Sequence, residues 1–268
     1  MKNESDIPPA PVSEEKDEAV RSEIQEFLDI SQQRRMIFPR AALVGLCAGL
    51  VALAFRAALA GADHLRAAMM AWAVKHPGWG WIFPVLLTAL GAAISVALTR
   101  RYAPEAAGSG IPHLEAVLHR IRDLRWRRLL PVKFAGGVMA IGSGLALGRE
   151  GPTVQMGGAV GAAIARLLGT SERERLTLIS AGAGAGLAAA FNAPLSGLVF
   201  VLEEVRRDFQ PIVFGAAFLA AAVADIVARI GSGQFPIFSV PSYPRRSGSD
   251  VRGRTAGFYR AATTYGKE

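Results

Sequence analysis

Charge is missing from long stretches of this sequence. Gly78–Thr99 contains no charged residue, and Ala41–Gly61 contains only Arg56. Each run is long enough to span a bilayer. With 51% hydrophobic residues, the composition fits a polytopic membrane protein better than a soluble domain. Cysteine is almost absent: Cys47 is the only one, so neither an intrachain disulfide nor a CxxC metal site is possible. No Gly-Lys-Ser/Thr phosphate loop, HExxH or Cys/His cluster occurs, and no cofactor is expected. The first thirty residues lack an apolar h-region, so no cleavable signal peptide is expected.

What charge there is collects between the apolar runs. The net charge of +8 could suggest nucleic acid, but the basic residues punctuate apolar segments, as a membrane topology requires. Arg34, Arg35 and Arg40 precede the first run, and Arg100 and Arg101 follow the second. Placing both clusters in the cytoplasm satisfies the positive-inside rule, with Trp72, Trp79 and Trp81 near the opposite interface. Residues 1–37 read as a polar cytoplasmic segment, 38–243 as the membrane domain and 244–268 as a basic tail out of character with the rest.

Past Arg101 the helices become short and interrupted. Ile111–His119 is too short to span and leads into the basic stretch Arg120–Arg128. Leu129–Leu147, Thr153–Leu168, Thr177–Ala190, Leu195–Leu202 and Ile212–Ile230 read as successive crossings. Broken helices are tolerated at membrane depth only where they are buried or line a cavity, the layout of a transporter with a midplane site.

Two Gly-framed loops open helices in this setting: Gly108-Ser109-Gly110-Ile111-Pro112 and Gly148-Arg149-Glu150-Gly151-Pro152. A helix start offers free N–H groups and a partial positive charge, which suits an anion. Ser109 reads as a plain N-cap, the commonest use of Ser before a helix, or as a hydroxyl donor to that anion, and the two roles are compatible. Glu150 reads as a carboxylate that fills an anion site when ionised and leaves it when protonated, or as a surface partner of Arg149. Glu203 and Glu204 read as a proton-transfer pair or as a helix end balanced by Arg206 and Arg207. A βαβ imitation also occurs, with Leu176–Ser180 as a strand and Gly182-x-Gly184-x-Gly186 as a phosphate loop. Its helix has no room before Pro194, and small residues spaced as Gly182 and Gly186 fit membrane helix packing better.

Together, Gly108–Pro112, Gly148-Arg-Glu-Gly-Pro-Thr-Val-Gln155 and Ala188-Ala-Ala-Phe-Asn-Ala-Pro194 leading to Glu203-Glu204 resemble the CLC family of chloride channels and chloride/proton exchangers. The resemblance implies an all-α membrane fold with short, broken helices, the first half of an inverted-repeat transporter. It implies an anion site of Ser109, Gly110, Ile111, Arg149, Glu150 and Gly151, with Glu150 as the gating glutamate. Glu204, beside Glu203, takes the position of the exchangers' proton-transfer glutamate, and Ser109 favours chloride over nitrate. His113 departs from the acidic residue usual there. The implied function is chloride/proton antiport in a bacterial inner membrane, without enzymatic activity, by a homodimer once a second half is present. The expected partners are chloride, protons and lipid, not nucleic acid. The second half's Gly-x-Phe-x-Pro helix start and tyrosine are missing, so truncation or a frameshift near Pro244 is expected. A non-transporting membrane fragment is the alternative, and a nucleotide-binding enzyme a distant one.

Overall fold

The computed structural model describes residues 12–76, 78–206 and 210–233, with side chains from residue 36 onward. The expected basic tail at 244–268 and the side chains of Arg34, Arg35 and Arg207 lie outside the described residues. No strand occurs among the described residues; the helices are α1 (Val12–Val74), α2 (Ile82–Tyr102), α3 (Ile111–Leu118), α4 (Trp126–Gly142), α5 (Glu150–Leu167), α6 (Glu172–Phe191), α7 (Pro194–Phe200) and α8 (Pro211–Ser232). A 3₁₀ turn, Pro104–Ala106, precedes α3, and a π-helical turn, Val201–Arg206, continues α7.

Proline and glycine set most of these boundaries. Pro112, Pro194 and Pro211 each stand in a first helical turn, where the missing N–H costs nothing. Gly108 and Gly110 hold φ of 69° and 89°, a left-handed conformation that a side chain would strain. Asn192 closes α6 with φ 53°, a left-handed position where Asn is the usual substitute for Gly.

Three helical stretches are long and apolar enough to cross a membrane: Met36–Val74, Ile82–Tyr102 and Pro211–Ser232. The other expected crossings do not meet that criterion, for a physical reason. α5 and α6 are rich in Gly and Ala, carry charged residues at their ends and are buried along most of their length. α7 has seven residues, a rise of about 10 Å against a hydrocarbon core of about 30 Å.

α5 and α6 run antiparallel at backbone contact. A Cβ on Gly161 would collide with the Leu178 carbonyl oxygen, one on Gly157 with that of Gly182, and one on Gly186 with that of Thr153. Leu176–Ser180 is therefore helical, and Gly182 and Gly186 are packing positions rather than a phosphate loop. α1 and α8 run side by side in the same direction, with Gly45 on Ala220 and Gly231 on Leu53. The central core joins Val44, Ala48 and Ala52 of α1 to Leu178, Ala181 and Ala185 of α6 and Ala216, Ala220 and Ala224 of α8.

Several charged side chains bond across or beside this core. Arg40 bonds Glu174 at 2.5 Å, and Arg56 donates to the Ser232 hydroxyl at 2.9 Å. Arg229 bonds Asp225 at 2.8 Å and the Asn192 carbonyl at 3.0 Å. The basic ends share one side. α2 and α4 are antiparallel, with Gly91 on Met139 and Ser143 and Gly136 on Ser95. That brings Arg100 and Arg101 to the end of α4 that follows Arg120–Arg128. A cavity then links Arg125–Arg128 to Arg166 and Arg175. Trp72, Trp79 and Phe83 cluster edge to face around the α1–α2 turn, with ring centroids 5.1–5.7 Å apart.

Candidate anion site

The helix starts of α3 and α5 meet. A Cβ on Gly151 would stand 2.8 Å from the Ser109 carbonyl oxygen and 3.0 Å from Ser109 Cα. Glycine at 151 is what lets the Ser109 backbone lie on the first turn of α5. The loop that leads into α3 and the start of α5 open on a cavity of about 710 Å³, with Ser109, Gly148, Glu150, Gly151 and Pro152 on its wall.

Ser109 is not the N-cap of α3. Gly110 holds that position, without a side-chain cap. The Ser109 hydroxyl is exposed and makes no hydrogen bond among the described residues, so the N-cap reading does not describe it. Glu150 is the first residue of α5 and is half-buried. Its carboxylate folds back over Gly148, where a Cβ would collide with Oε2. It forms no ion pair with Arg149 among the described residues, so the surface-pair reading does not describe it either. The carboxylate sits at the positive end of α5, where an anion is favoured.

Not every expected anion ligand reaches the cavity. Gly110, Ile111 and Arg149 do not line it. Gly110 turns toward Gln155, and Ile111 packs against the cluster around Leu114 and Val117. Glu203 and Glu204 are exposed on the π-helical turn and lie outside the cavity. That turn is anchored beside α3 by Val205, which is buried with Leu114, Val117 and Leu118.

Two residues that sequence reading passed over hold the site in shape. Lys133, 5% exposed, reaches from α4 to the Gly-Ser-Gly loop and donates to the carbonyls of Ala106 (2.9 Å) and Gly108 (2.6 Å). Lys133 also lines the cavity. The available signal was a lone charge in the apolar stretch Leu129–Leu147, which marks function in a membrane segment. Gln155, fully buried one turn into α5, donates to the Glu105 carbonyl at 2.8 Å and lies 3.3 Å from His113 Nδ1. It thereby ties α5 to the approach and first turn of α3, although its Oε1 has no hydrogen-bond partner among the described residues. Its signal was a lone amide in the charge-free run Thr153–Ile164.

Two broken-helix starts meet backbone to backbone beside one cavity, in an all-helical fold with three helices long and apolar enough to cross a membrane. The chain belongs to the voltage gated chloride channel family, whose model matches residues 91–252. That match runs past Pro244, into the segment expected to be foreign. The chain is 43% identical over 223 residues to the H(+)/Cl(-) exchange transporter ClcA of Vibrio vulnificus strain YJ016, covering 82% of this chain and 48% of that protein. It is 41% identical to the transporter of the same name from Salmonella paratyphi B, over 82% of this chain and 47% of that one. Among solved structures it superposes on a slow cyanobacterial Cl−/H+ antiporter with a TM-score of 0.72 at 33% identity, covering 81% of this chain and 51% of the other. It also superposes on a eukaryotic CLC transporter with a TM-score of 0.64 at 26% identity, covering 75% and 38%. The chain spans about half the length of the curated relatives it matches.

Proposed function

We propose that the protein formed by this chain together with a second half exchanges chloride for protons across a bacterial inner membrane, as a homodimer. The observation that carries this reading is the contact of Ser109 with Gly151, which brings two helix starts and the Glu150 carboxylate to one cavity. The relatives' names, which specify chloride/proton exchange, support the choice of ions.

In this reading the Ser109 hydroxyl and the N–H groups at the start of α5 replace part of a chloride ion's hydration. Of the expected ligands, Glu150 and Gly151 stand on the cavity wall at the start of α5, while Gly110, Ile111 and Arg149 lie off it. Lys133 adds positive potential from behind the loop. Ionised Glu150 competes with chloride for the same field; protonated, it loses its charge and gives way. Each exchange of carboxylate for chloride is thereby tied to a proton. Glu204, beside Glu203 on the turn packed against α3, passes that proton to the opposite side. In this reading the two-half protein is a transporter rather than an enzyme, and no step in it calls for a covalent intermediate or cofactor.

The test is Glu150→Gln, a fixed mimic of the protonated acid, in the two-half protein reconstituted in liposomes. Chloride flux should persist, its dependence on pH should disappear, and proton movement should stop. Unchanged coupling in this variant would reduce Glu150 to a surface charge. The second reading is a membrane fragment that carries nothing, and the half-length match to the relatives favours it for the chain by itself.

A further inference from the structure

A second cavity, of about 790 Å³, lies at the junction of the α3–α4 link, the C-terminal end of α5 and the N-terminal end of α6. Five arginines line it: Arg125, Arg127 and Arg128 from the first segment, Arg166 from the second and Arg175 from the third. Against them stand two carboxylates, Asp123 and Glu172. Glu172 is already engaged by Arg175 through hydrogen bonds of 2.7 and 2.9 Å. Arg127 lies over the Trp126 ring, 5.3 Å from its centroid. Arg125, Arg128 and Arg166 form no ion pair among the described residues.

Positive-inside topology accounts for basic residues along this side, and the α5 dipole accounts for Arg166 at its end. Neither accounts for the convergence of three chain segments on one concavity. Five guanidinium groups against two carboxylates leave an excess of positive charge there, which a further anion would balance. Guanidinium forks match phosphate oxygens in pairs, which makes phosphate the fitting anion. Beside the charges lies an apolar edge, since Leu167 is 73% exposed and Leu168 44% exposed, directly after Arg166. Trp126 adds a residue type that settles at headgroup level. The cavity also lies on the side where α2 ends in Arg100 and Arg101, the side that the positive-inside rule assigns to the cytoplasmic headgroups. Basic pockets between helices at that level take phospholipid headgroups.

We propose that this cavity is a binding site for the phosphate headgroup of an anionic phospholipid. Arg125, Arg128 and Arg166 hold the phosphate, and Leu167 and Leu168 run beside the upper acyl chain. The site shares no residue with the Ser109–Glu150 cavity and does not depend on the transport reading.

The experiment is native mass spectrometry of the purified 268-residue chain in neutral detergent, titrated with cardiolipin, phosphatidylglycerol, phosphatidylcholine or pyrophosphate. The wild type should retain the two anionic lipids roughly tenfold more tightly than phosphatidylcholine, a difference of about 1.4 kcal/mol. The combined Arg125→Gln, Arg128→Gln, Arg166→Gln variant should lose that preference, while Arg100→Gln with Arg101→Gln should keep it. Equal loss in both variants would show only diffuse positive charge and overturn the site. Pyrophosphate retention without lipid retention would also overturn it, in favour of a soluble phosphate ligand. Should the Gln variant aggregate, the Lys triple keeps the charge without the forks. Anionic lipid must then bind more weakly than to the wild type, and unchanged binding overturns the proposal.

Discussion

Ser109 rests on Gly151: the carbonyl oxygen and Cα of the first stand 2.8 and 3.0 Å from where a Cβ of the second would be. Under about 3.0 Å a real Cβ forces a shift, and here the neighbour is backbone, which yields poorly. Gly151→Ala should therefore push the Gly108–Gly110 loop off α5 and spoil the joint anion site. In the two-half protein, chloride affinity measured by calorimetry should fall by roughly tenfold, or about 1.4 kcal/mol, with the helical content intact. Gly61→Ala, where nothing lies within 4 Å, is the matched control and should leave affinity unchanged. Wild-type affinity in Gly151→Ala would mean that the contact does not set the site.

Lys133 makes a related prediction through stability. Its ammonium is the hydrogen-bond donor to Ala106 O and Gly108 O, and Ala106 is itself buried. Lys133→Met keeps the bulk of the stem and strands both carbonyls. Stranding a buried polar group costs about 1–3 kcal/mol, so the variant should melt several degrees lower in detergent and lose chloride affinity. Arginine at 133 keeps the charge but is bulkier, and should restore part of both. A melting temperature equal to wild type in Lys133→Met would show that the loop stands without its strap.

Much of this arrangement was legible in the sequence, for identifiable reasons. Helix starts at Ile111, Glu150, Pro194 and Pro211 were marked by Gly and Pro, whose backbone effects act within a few residues. The packing role of Gly182 and Gly186 followed from small-residue spacing. The lengthwise fate of α4 to α7 did not follow, because Gly- and Ala-rich helices have the composition of a span and yet bury themselves against one another. Lys133 and Gln155 were visible as lone polar residues, but their partners lie 25 to 50 positions away, at Gly108 and Glu105. No local pattern encodes such a pairing. The arginine cavity was hidden for the same reason, since Arg128 and Arg166 read separately as a basic loop and a helix end.

The proton relay is tested by separating two neighbours. Glu203 and Glu204 share the π-helical turn beside α3, and the proposed relay uses the second. In the two-half protein, Glu204→Val should abolish proton movement while chloride flux continues. Glu203→Val should leave a measurable proton flux, within about threefold of wild type, equivalent to under 1 kcal/mol. Paired chloride-electrode and pH-electrode recordings from the same liposomes report both ions. The reverse pattern would put the relay one residue earlier and turn the helix face that carries it.

The 268-residue chain alone should not carry chloride. Ser109 is exposed and Glu150 only half-buried, so the two helix starts enclose one side of an ion and leave the other open. An ion stripped of water needs replacement ligands on every side, because an unpaired charge in low dielectric costs several kcal/mol or more. The open backbone of the Gly108–Gly110 loop would also face lipid, which cannot satisfy it. Chloride efflux from liposomes containing the chain alone should equal that of empty liposomes. Adding the second half should raise efflux, and Glu150→Gln should then remove its pH dependence. Efflux from the chain alone that is anion-selective and lost on both Ser109→Ala and Glu150→Gln would show that one set of helix starts builds a whole site.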